Sequence, residues 1–467
     1  MAFLDTFLSF FPEVRSPTEK RLSFKTKLKW TALILVAFFL LSVIPLYGLG
    51  QNALAQFESL SIILGASFGS IMSLGIGPLV TASIVLQLLV GSGILKLNTA
   101  TPEGKKQFQG LQKILSLFFV IFEAFIYVFM GGLAPAQELA GTSAYVFIQL
   151  MLVGQLILGG LMVMFMDEVT TKWGFGSGIS LFIAAGVSSS IFIRAFSPLS
   201  SAGTWALGSS EAPVGQIWVF FVSLMGGNPQ GAALALAAIL ATILIFAVSV
   251  YAQSMKVEIP LSFGRVRGFG IRWPLRFLYT SNIPVILIAA LLANIQLLAR
   301  LLQNWGHPLL GTFVGNTPAT GFVLWIFPPN LINGIITGSL RFMDIFYSFS
   351  YILLMVAGSV LFSVFWVQTA GMDAQAQAKQ ILSSGLQIPG FRRDPRIIEQ
   401  ILNRYIPSLT VLGGISIGVL AATADLSGAL SNGTGILLTV MIIYKLYEDI
   451  ARQHMMDMHP ALRKMME

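Results

Sequence analysis

The sequence predicts an all-α integral membrane protein with ten transmembrane helices, for two main reasons. Hydrophobic residues make up 55% of the 467 residues and charged residues only 10%, with a mean hydropathy of +0.80, which is outside the range of soluble domains. Apolar stretches of about 20 residues, long enough to cross a hydrocarbon layer of about 30 Å, recur along the chain. The predicted spans are 30–48, 74–92, 111–131, 143–166, 175–194, 231–253, 283–303, 345–367, 405–424 and 434–449.

The distribution of basic residues predicts the orientation of these spans. Lys and Arg accumulate in cytoplasmic loops, and 25 of the 28 fall on one side of the predicted topology. Only Arg194, Arg300 and Arg341 fall on the other side. Both termini are therefore predicted to be cytoplasmic, as an even number of spans requires.

Ten spans divide after the external loop 195–230 into two halves, 30–194 and 231–449, with five spans each. Because five is odd, the halves face opposite ways, which predicts an inverted repeat with a functional path at the interface of the halves. The apolar segment 321–338 is broken by Pro328, Pro329 and Asn330, and is predicted to be an outer loop that dips toward the membrane surface.

The two ends of the chain are predicted to be cytoplasmic. In the arm 1–29, the apolar residues at 3, 4, 7, 8 and 11 repeat at helical spacing, which predicts an amphipathic helix on the inner membrane surface. A poorly ordered tail is the alternative. Residues 450–467 form the cytoplasmic tail.

Two cytoplasmic loops, 252–282 and 369–405, carry the basic, glycine-bearing stretches VEIPLSFGRVRGFGIRWPLRF and GLQIPGFRRDPRIIEQILNRY. Paired basic tips of this length favour a polyanionic partner, such as ribosomal RNA or anionic lipid headgroups. The alternative is that they only set the topology.

The chemistry of an enzyme is missing from the spans. The three histidines, His307, His454 and His459, fall in an outer loop and the C-terminal tail, and there is no cysteine. Gly104-Lys105 lacks the other residues of a phosphate-binding loop. The sequence therefore predicts no catalytic site, no metal site and no cofactor. Glu123 is the one clear acid within the spans, either a proton relay or a partner for a polar group on a neighbouring helix or accessory subunit.

The stretch LGASFGSIMSLGIGPLVTA, 64–82, places glycines and a proline where each weakens a helix. Non-helical backbone at membrane depth is tolerated only where protein or a water-filled cavity satisfies its polar groups. We therefore expect a short helix over about 58–68, a flexible break over 69–73, and then a full span. After this opening and after GFGSGISLFI, Ile76 with Val80 and Ile179 with Ile183 share one helical face.

The motifs LGIGPLVTASIVLQLLVGSG, GFGSGISLFIAAGV, VEIPLSFGRVRG, SNIPVILIAALLANIQL, PGFRR and GTGILLTV closely resemble the SecY family of protein-conducting channels, most of all its archaeal members. The resemblance implies a clamshell of two five-helix halves in the cell membrane, a hydrophobic constriction, a plug helix and a lateral gate toward lipid. It also implies a SecE-type small subunit, a third small subunit, and a ribosome or separate motor, with signal peptides and nascent polypeptides as substrates.

Matched motif by motif, the resemblance assigns four groups of residues. The pore ring consists of Ile76, Val80, Ile179, Ile183, Ile286 and Leu438, and the plug contains Glu58, Leu60, Ile62, Ile63, Leu64, Gly65 and Phe68. The lateral gate contains Thr81, Gln87 and Asn294, and the ribosome contacts are Arg265, Arg267, Arg392 and Arg393. A small-solute secondary transporter with the same inverted-repeat architecture is the alternative function.

Overall fold

The computed structural model describes residues 13–19, 22–52, 54, 64–97, 101–200, 203–208, 211–263, 270–315, 317–383, 386–387 and 395–458. The predicted amphipathic segment before residue 13 and most of the predicted plug lie outside these residues. So do all four predicted ribosome contacts.

The described chain is predominantly helical. The helices are α1 Phe24–Val43, α2 Gly77–Gly91, α3 Pro102–Phe129, α4 Ser143–Trp173, α5 Gly178–Phe196, α6 Gln216–Met225, α7 Pro229–Ser254, α8 Ile283–Asn304, α9 Val323–Ile326, α10 Leu331–Thr337, α11 Phe342–Thr369, α12 Ala374–Ser383, α13 Pro395–Leu426 and α14 Gly433–Met458. A 3-10 turn covers Gln137–Leu139.

Each predicted span coincides with one of these helices. In the described part of the chain, 8 helices are long and apolar enough to cross a membrane. The other two are α2, which has only 15 residues, and α14, whose second half carries Lys445, Glu448 and Asp449. The short length of α2 follows from the non-helical backbone before Gly77, where Gly65, Gly69 and Gly75 have positive φ.

The outer loops contain short helices, which the sequence pattern does not predict. Within the predicted external loop 195–230 lies the apolar helix α6, whose 10 residues extend only about 15 Å. The segment 321–338 holds α9 and α10, separated by the Pro-Pro-Asn sequence that broke the apolar pattern.

Short strands form three small sheets. The strands are β1 Gln51–Asn52, β2 Leu133–Ala134, β3 Lys256–Phe263, β4 Gly270–Arg276, β5 Gly311–Val314, β6 Thr317–Gly321 and β7 Leu386–Gln387. The pairs β1–β2 and β5–β6 are antiparallel, and the third sheet has the order β4-β3-β7. Since β3 and β4 belong to the first basic loop and β7 to the second, the two basic loops share one sheet.

Three hydrophobic clusters stabilise the fold. The first joins helices of both halves and includes residues of α2, α5, α8 and α14. The second packs α3 and α4 against the turns that flank the interrupted segment before α2. The third lies under the shared sheet, where Ile259 and Leu275 pack with residues of α12 and α13.

Candidate functional site

The segment before α2 is a hydrogen-bonded turn. The backbone N–H of Gly69 donates to Ser73 Oγ at 2.9 Å, and the N–H of Ile76 donates to the carbonyl of Leu64 at 2.8 Å. The N–H of Ile71 donates to the carbonyl of Ile44 at 3.0 Å, which ties the turn to the end of α1. The predicted break in the helix over 69–73 is present, and the serine side chains and the α1 backbone satisfy its polar groups. Its flexibility stays a prediction.

The predicted plug is only partly described. Glu58, Leu60, Ile62 and Ile63 lie outside the described residues. Leu64 to Phe68 lie in turns and irregular backbone, and Gly65 adopts a φ of +51°, so the predicted helix does not reach Phe68. A Cβ on Gly65 would lie 3.7 Å from side-chain atoms of both Ile76 and Phe182. This end of the plug segment therefore contacts the large hydrophobic cluster.

The structure brings the six predicted pore-ring residues into that same cluster. Five of them are 1–7% exposed, and Ile179 is half-buried against them. Four helices supply them: α2 bears Val80 and follows Ile76, α5 bears two, and α8 and α14 bear one each.

Two partly buried carboxylates set where α5 and α14 begin. Asp167 at the end of α4 accepts a hydrogen bond from the N–H of Ile179 at 3.0 Å, and one from the hydroxyl of Ser177 at 3.5 Å. A Cβ on Gly178 would lie 2.6 Å from Asp167 Cα, so glycine is needed for this approach. In the second half, Asp425 at the end of α13 accepts from the N–H of Thr434 at 2.7 Å. Capping of this kind orients the first turns of both helices.

Asp425 also belongs to a polar cluster that sequence reasoning missed. The hydroxyl of Tyr351 donates to Asp425 Oδ2 at 2.6 Å, and the Thr434 hydroxyl donates to the same carboxylate. The cluster joins α11, α13 and α14. The sequence signal was available but unused: Asp425 directly follows the predicted end of its span at residue 424.

Two cavities lie on opposite sides of the large hydrophobic cluster that contains the predicted pore ring. We call the one beside the basic loops the inner cavity; it measures about 430 Å³, and its lining includes Val80, Ile179 and Ile286. The outer cavity measures about 1020 Å³ and its lining includes Ala289 and Gln296. Along α8, the lining changes from the inner to the outer cavity between Leu287 and Ala289. The closed region between the cavities is therefore thin.

A polar contact joins α2 and α8 on one side of the large hydrophobic cluster. Asn294 Nδ2 donates to Thr81 Oγ1 at 2.9 Å, and the Thr81 hydroxyl lies 3.1 Å from Glu123 Oε1 and 2.8 Å from the carbonyl of Gly77. Thr81 is thus the polar group on a neighbouring helix that Glu123 contacts. Two predicted gate residues meet here, and Glu123 joins them as a third member.

Gln87, the other predicted gate residue, does not take part in this contact. Its side chain is buried and lines the inner cavity, and its Oε1 has no hydrogen-bond partner within the described structure. One helical turn or more separates it from Thr81 on α2, so the two residues face different surroundings.

The two basic loops form one unit. Ser262 pairs with Gln387 and Phe263 with Leu386, and Arg276 of β4 forms an ion pair with Glu448 of α14. The strand ends Phe263 and Gly270 flank the first tip, and Gln387 precedes the second. The predicted contacts Arg265, Arg267, Arg392 and Arg393 themselves lie outside the described residues.

Comparisons with known proteins agree on one family. The SecY family model matches residues 70–447, and a model described as the plug domain of Sec61p matches residues 36–69. Among curated relatives, the protein translocase subunit SecY of Methanothermobacter thermautotrophicus is 46% identical over 97% of this chain and 96% of its own length. The protein of the same name from Pyrococcus furiosus is 44% identical over 97% of both chains.

Solved structures give the same result. A structure described as that of a protein-conducting channel aligns with a TM-score of 0.83 and 39% identity, covering 98% of this chain and 99% of that one. Sec61 from a canine ribosome–channel complex of the endoplasmic reticulum aligns with a TM-score of 0.80 and 39% identity, over 98% and 99%. Full-length similarity of this kind leaves one assignment: this chain belongs to the SecY family of protein translocase subunits.

Proposed function

We propose that this chain is the central subunit of a protein translocation channel, which passes unfolded secretory polypeptides across the membrane and releases hydrophobic segments sideways into lipid. The observation that carries the proposal is the pair of cavities separated along α8 by the thin region between Leu287 and Ala289. An aliphatic constriction between two cavities excludes ions by dewetting. Because aliphatic side chains make no directional bonds, they also deform around a chain of any sequence.

In this proposal Ile76, Val80, Ile179, Ile183, Ile286 and Leu438 form the constriction. Their burial in one cluster and the presence of three of them in the lining of the inner cavity support this assignment. The plug contains the segment up to Phe68 and seals the constriction from the side opposite the inner cavity. The contact of Gly65 with Ile76 supports that position.

The ten helices that coincide with predicted spans form two halves with inverted topology. Two local features that recur in both halves support this. The sequences GSG at 176–178 and GTG at 433–435 open the fifth helix of each half, and in each the hydroxyl lies beside an aspartate at the end of the preceding helix. The second helices of the halves, α2 and α8, both carry a proline in the first turn.

We propose that both termini lie in the cytoplasm and that the chain resides in the cell membrane. The distribution of basic residues supports this, since only three lie on the opposite side. The absence of cysteine makes the topology testable with single cysteines at Ser210 and Ser384. An impermeant maleimide should label Ser210→Cys from outside and Ser384→Cys from inside; the reverse pattern at either site would overturn the topology.

The lateral gate lies between α2 and α8. The hydrogen bond between Asn294 and Thr81, with Glu123 beside it, is the polar contact that holds this seam in the closed state. Gln87 belongs to the inner entrance of the same seam, since its side chain lines the inner cavity and its Oε1 has no hydrogen-bond partner among the described residues.

The partners of the channel are a SecE-type subunit that braces the halves, a third small subunit, and a ribosome or separate motor. The similarity to Sec61 in the canine ribosome–channel complex supports the ribosome as a partner. The shared sheet of the basic loops supports a single docking surface that carries Arg265, Arg267, Arg392 and Arg393. Arg267→Glu and Arg392→Glu should weaken ribosome binding, and binding should fall steeply with salt.

Purification from native membrane tests the function as a whole. Ribosomes and a small one-span protein should co-purify with the chain, and vesicles containing the complex should import a signal-bearing polypeptide when a motor is supplied. Ion-coupled uptake of a small solute by vesicles containing this chain alone would instead support the transporter alternative. The named translocase relatives do not favour that alternative.

A further inference from the structure

A third cavity, of about 430 Å³, lies beside the outer cavity, at the ends of α5 and α7 remote from the basic loops, and it shares Arg194 and Asn330 with the outer cavity. Its lining includes Ser190 and Arg194 of α5, Gln216 of α6, and Asn330 and Asn333 beside α10. The lining contains one basic side chain and no Asp or Glu. The lining of this cavity therefore carries one positive charge, and the acidic residues Asp344 and Asp425 line only the adjoining outer cavity.

Two of these side chains lie on the same face of α5. Ser190 and Arg194 are four residues apart, which places them one turn from each other. Ser190 is only 8% exposed, and its hydroxyl has no hydrogen-bond partner in the described structure. Buried polar groups are normally hydrogen-bonded, so this hydroxyl indicates a polar group that the isolated chain does not supply.

The cavity continues into an apolar groove of about 350 Å³ between α7 and α13. Ala237, Ile332 and Ser427 line both spaces, so the two are contiguous. On α7 the groove extends from Ala237 to Ser249, about 18 Å along the helix axis. Leu240 and Leu244 on its wall are 56% and 64% exposed, so the groove opens toward the surrounding lipid.

We infer that this composite surface binds one anionic phospholipid, with the headgroup phosphate beside Ser190 and Arg194 and one acyl chain in the groove. The charge, the unpaired hydroxyl and the contiguous apolar channel together match an amphiphile with a negative head. A free phosphate would use only the polar cavity, and a helix of a partner subunit would leave the basic cavity without an anion.

The site lies where the two halves of the molecule meet, so lipid binding there should affect how the halves associate. Arg194 donates to the carbonyl of Leu430 at 3.4 Å, and the N–H of Leu430 donates to Thr242 of α7 at 3.0 Å. The loop between α13 and α14 is therefore tied to α5 of the first half and α7 of the second. A lipid seated here contacts both halves and strengthens their association.

Native mass spectrometry of the lipid-stripped chain, measured both in complex with its small subunit and without it, tests the inference. The titrants are phosphatidylglycerol, phosphatidylcholine with the same acyl chains, and inorganic phosphate. We expect one phosphatidylglycerol to bind about tenfold more tightly than phosphatidylcholine, as one charge-assisted contact provides. We expect inorganic phosphate not to compete at millimolar concentration.

Variants separate the two parts of the site. Arg194→Gln should remove the preference for phosphatidylglycerol, and Arg194→Lys should retain part of it. Ala237→Phe fills the space shared by cavity and groove and should weaken both lipids. The matched controls are Ala247→Phe, on an exposed position of α7 outside the groove, and Arg341→Gln, a basic residue outside this cavity; both should bind as the unaltered chain does.

Four outcomes would overturn the inference. The first is that both lipids bind equally and Arg194→Gln has no effect, and the second is that Ala237→Phe leaves lipid binding unchanged. The third is that inorganic phosphate displaces the lipid, and the fourth is that lipid binds only when the small subunit is absent. The last outcome would assign the groove to that subunit.

Discussion

The starts of α2 and α8 have nearly the same backbone but different residues. The residue before the helix has φ −87° and ψ −2° at Ile76, and φ −86° and ψ −12° at Asn282. One residue earlier, Gly75 and Ser281 both have positive φ, +54° and +56°. In each case a proline follows at the second helical position. Val80 and Ile286 then occupy equivalent positions, four residues after Ile76 and Asn282.

The difference between the two starts lies in what packs against the left-handed residue. A Cβ on Gly75 would lie 2.3 Å from the carbonyl oxygen of Leu64, so no side chain fits. Ser281 has room for its side chain, and its hydroxyl donates to Asn282 Oδ1 at 3.1 Å. The geometry of the helix start therefore recurs in both halves, whereas glycine is required only where the plug segment returns against α2.

The largest expected effect comes from adding a side chain at the first start. Gly75→Ala should destabilise the protein by at least about 2 kcal/mol, because it combines left-handed backbone with a clash against the Leu64 carbonyl. Ser281→Ala is the matched control and should change stability by under about 1 kcal/mol. Thermal unfolding of the purified complex measures both changes in stability. Equal losses of stability in the two variants would show that the two helix starts do not differ in this way.

The second prediction concerns two isoleucines of the proposed constriction, Ile76 and Ile183. Ile76→Asn combined with Ile183→Asn should hold water in the constriction, raise ion conductance in planar bilayers, and increase export of a reporter with a defective signal sequence. The control pair, Ile243→Asn with Ile443→Asn, places the same side chains on exposed positions of α7 and α14.

A folded double variant that conducts no more than the unaltered channel, and exports no more reporter, would identify these isoleucines as ordinary core. Deletion of residues 58–68 should cause a smaller, intermittent leak, because the aliphatic constriction remains.

The third prediction concerns the hydrogen bond between α2 and α8 at the proposed lateral gate. Asn294→Leu removes the hydrogen bond to Thr81 and should shift the equilibrium toward the open gate by about 1 kcal/mol, roughly a fivefold change. Export of the reporter with a defective signal should rise accordingly. Asn304→Leu, at the exposed end of α8, is the control. Unchanged or reduced export in Asn294→Leu would show that this bond does not hold the gate closed.

The smallest effect is expected at the second start. Ser281→Gly relieves the left-handed conformation of a residue with a side chain, a gain of about 1 kcal/mol, and loses one partly buried hydrogen bond. We expect a small rise in the thermal midpoint. A fall would mean that the Ser281 hydroxyl is more important for the start of α8 than the backbone strain.

Much of the fold could be predicted from local patterns. Hydropathy over about 20 residues located every long helix, and the distribution of basic residues predicted the side on which the two basic loops lie. The glycines at 65, 69 and 75 correctly indicated interrupted backbone before α2, because positive φ is a local property of the chain. The aliphatic residues after each glycine-rich opening were also found locally, since helical spacing places them on one face.

Contacts between distant residues were decided by the tertiary structure. Glu123 was the one clear acid within the predicted spans, and its place beside Thr81 and Asn294 depends on which faces of α2, α3 and α8 meet. The same holds for the sheet that joins the basic loops and for the hydrogen bonds that order residues 69–73. Hydropathy and spacing are summed along the chain, whereas a hydrogen bond between helices requires two particular atoms within about 3 Å, and only the packed fold determines that distance.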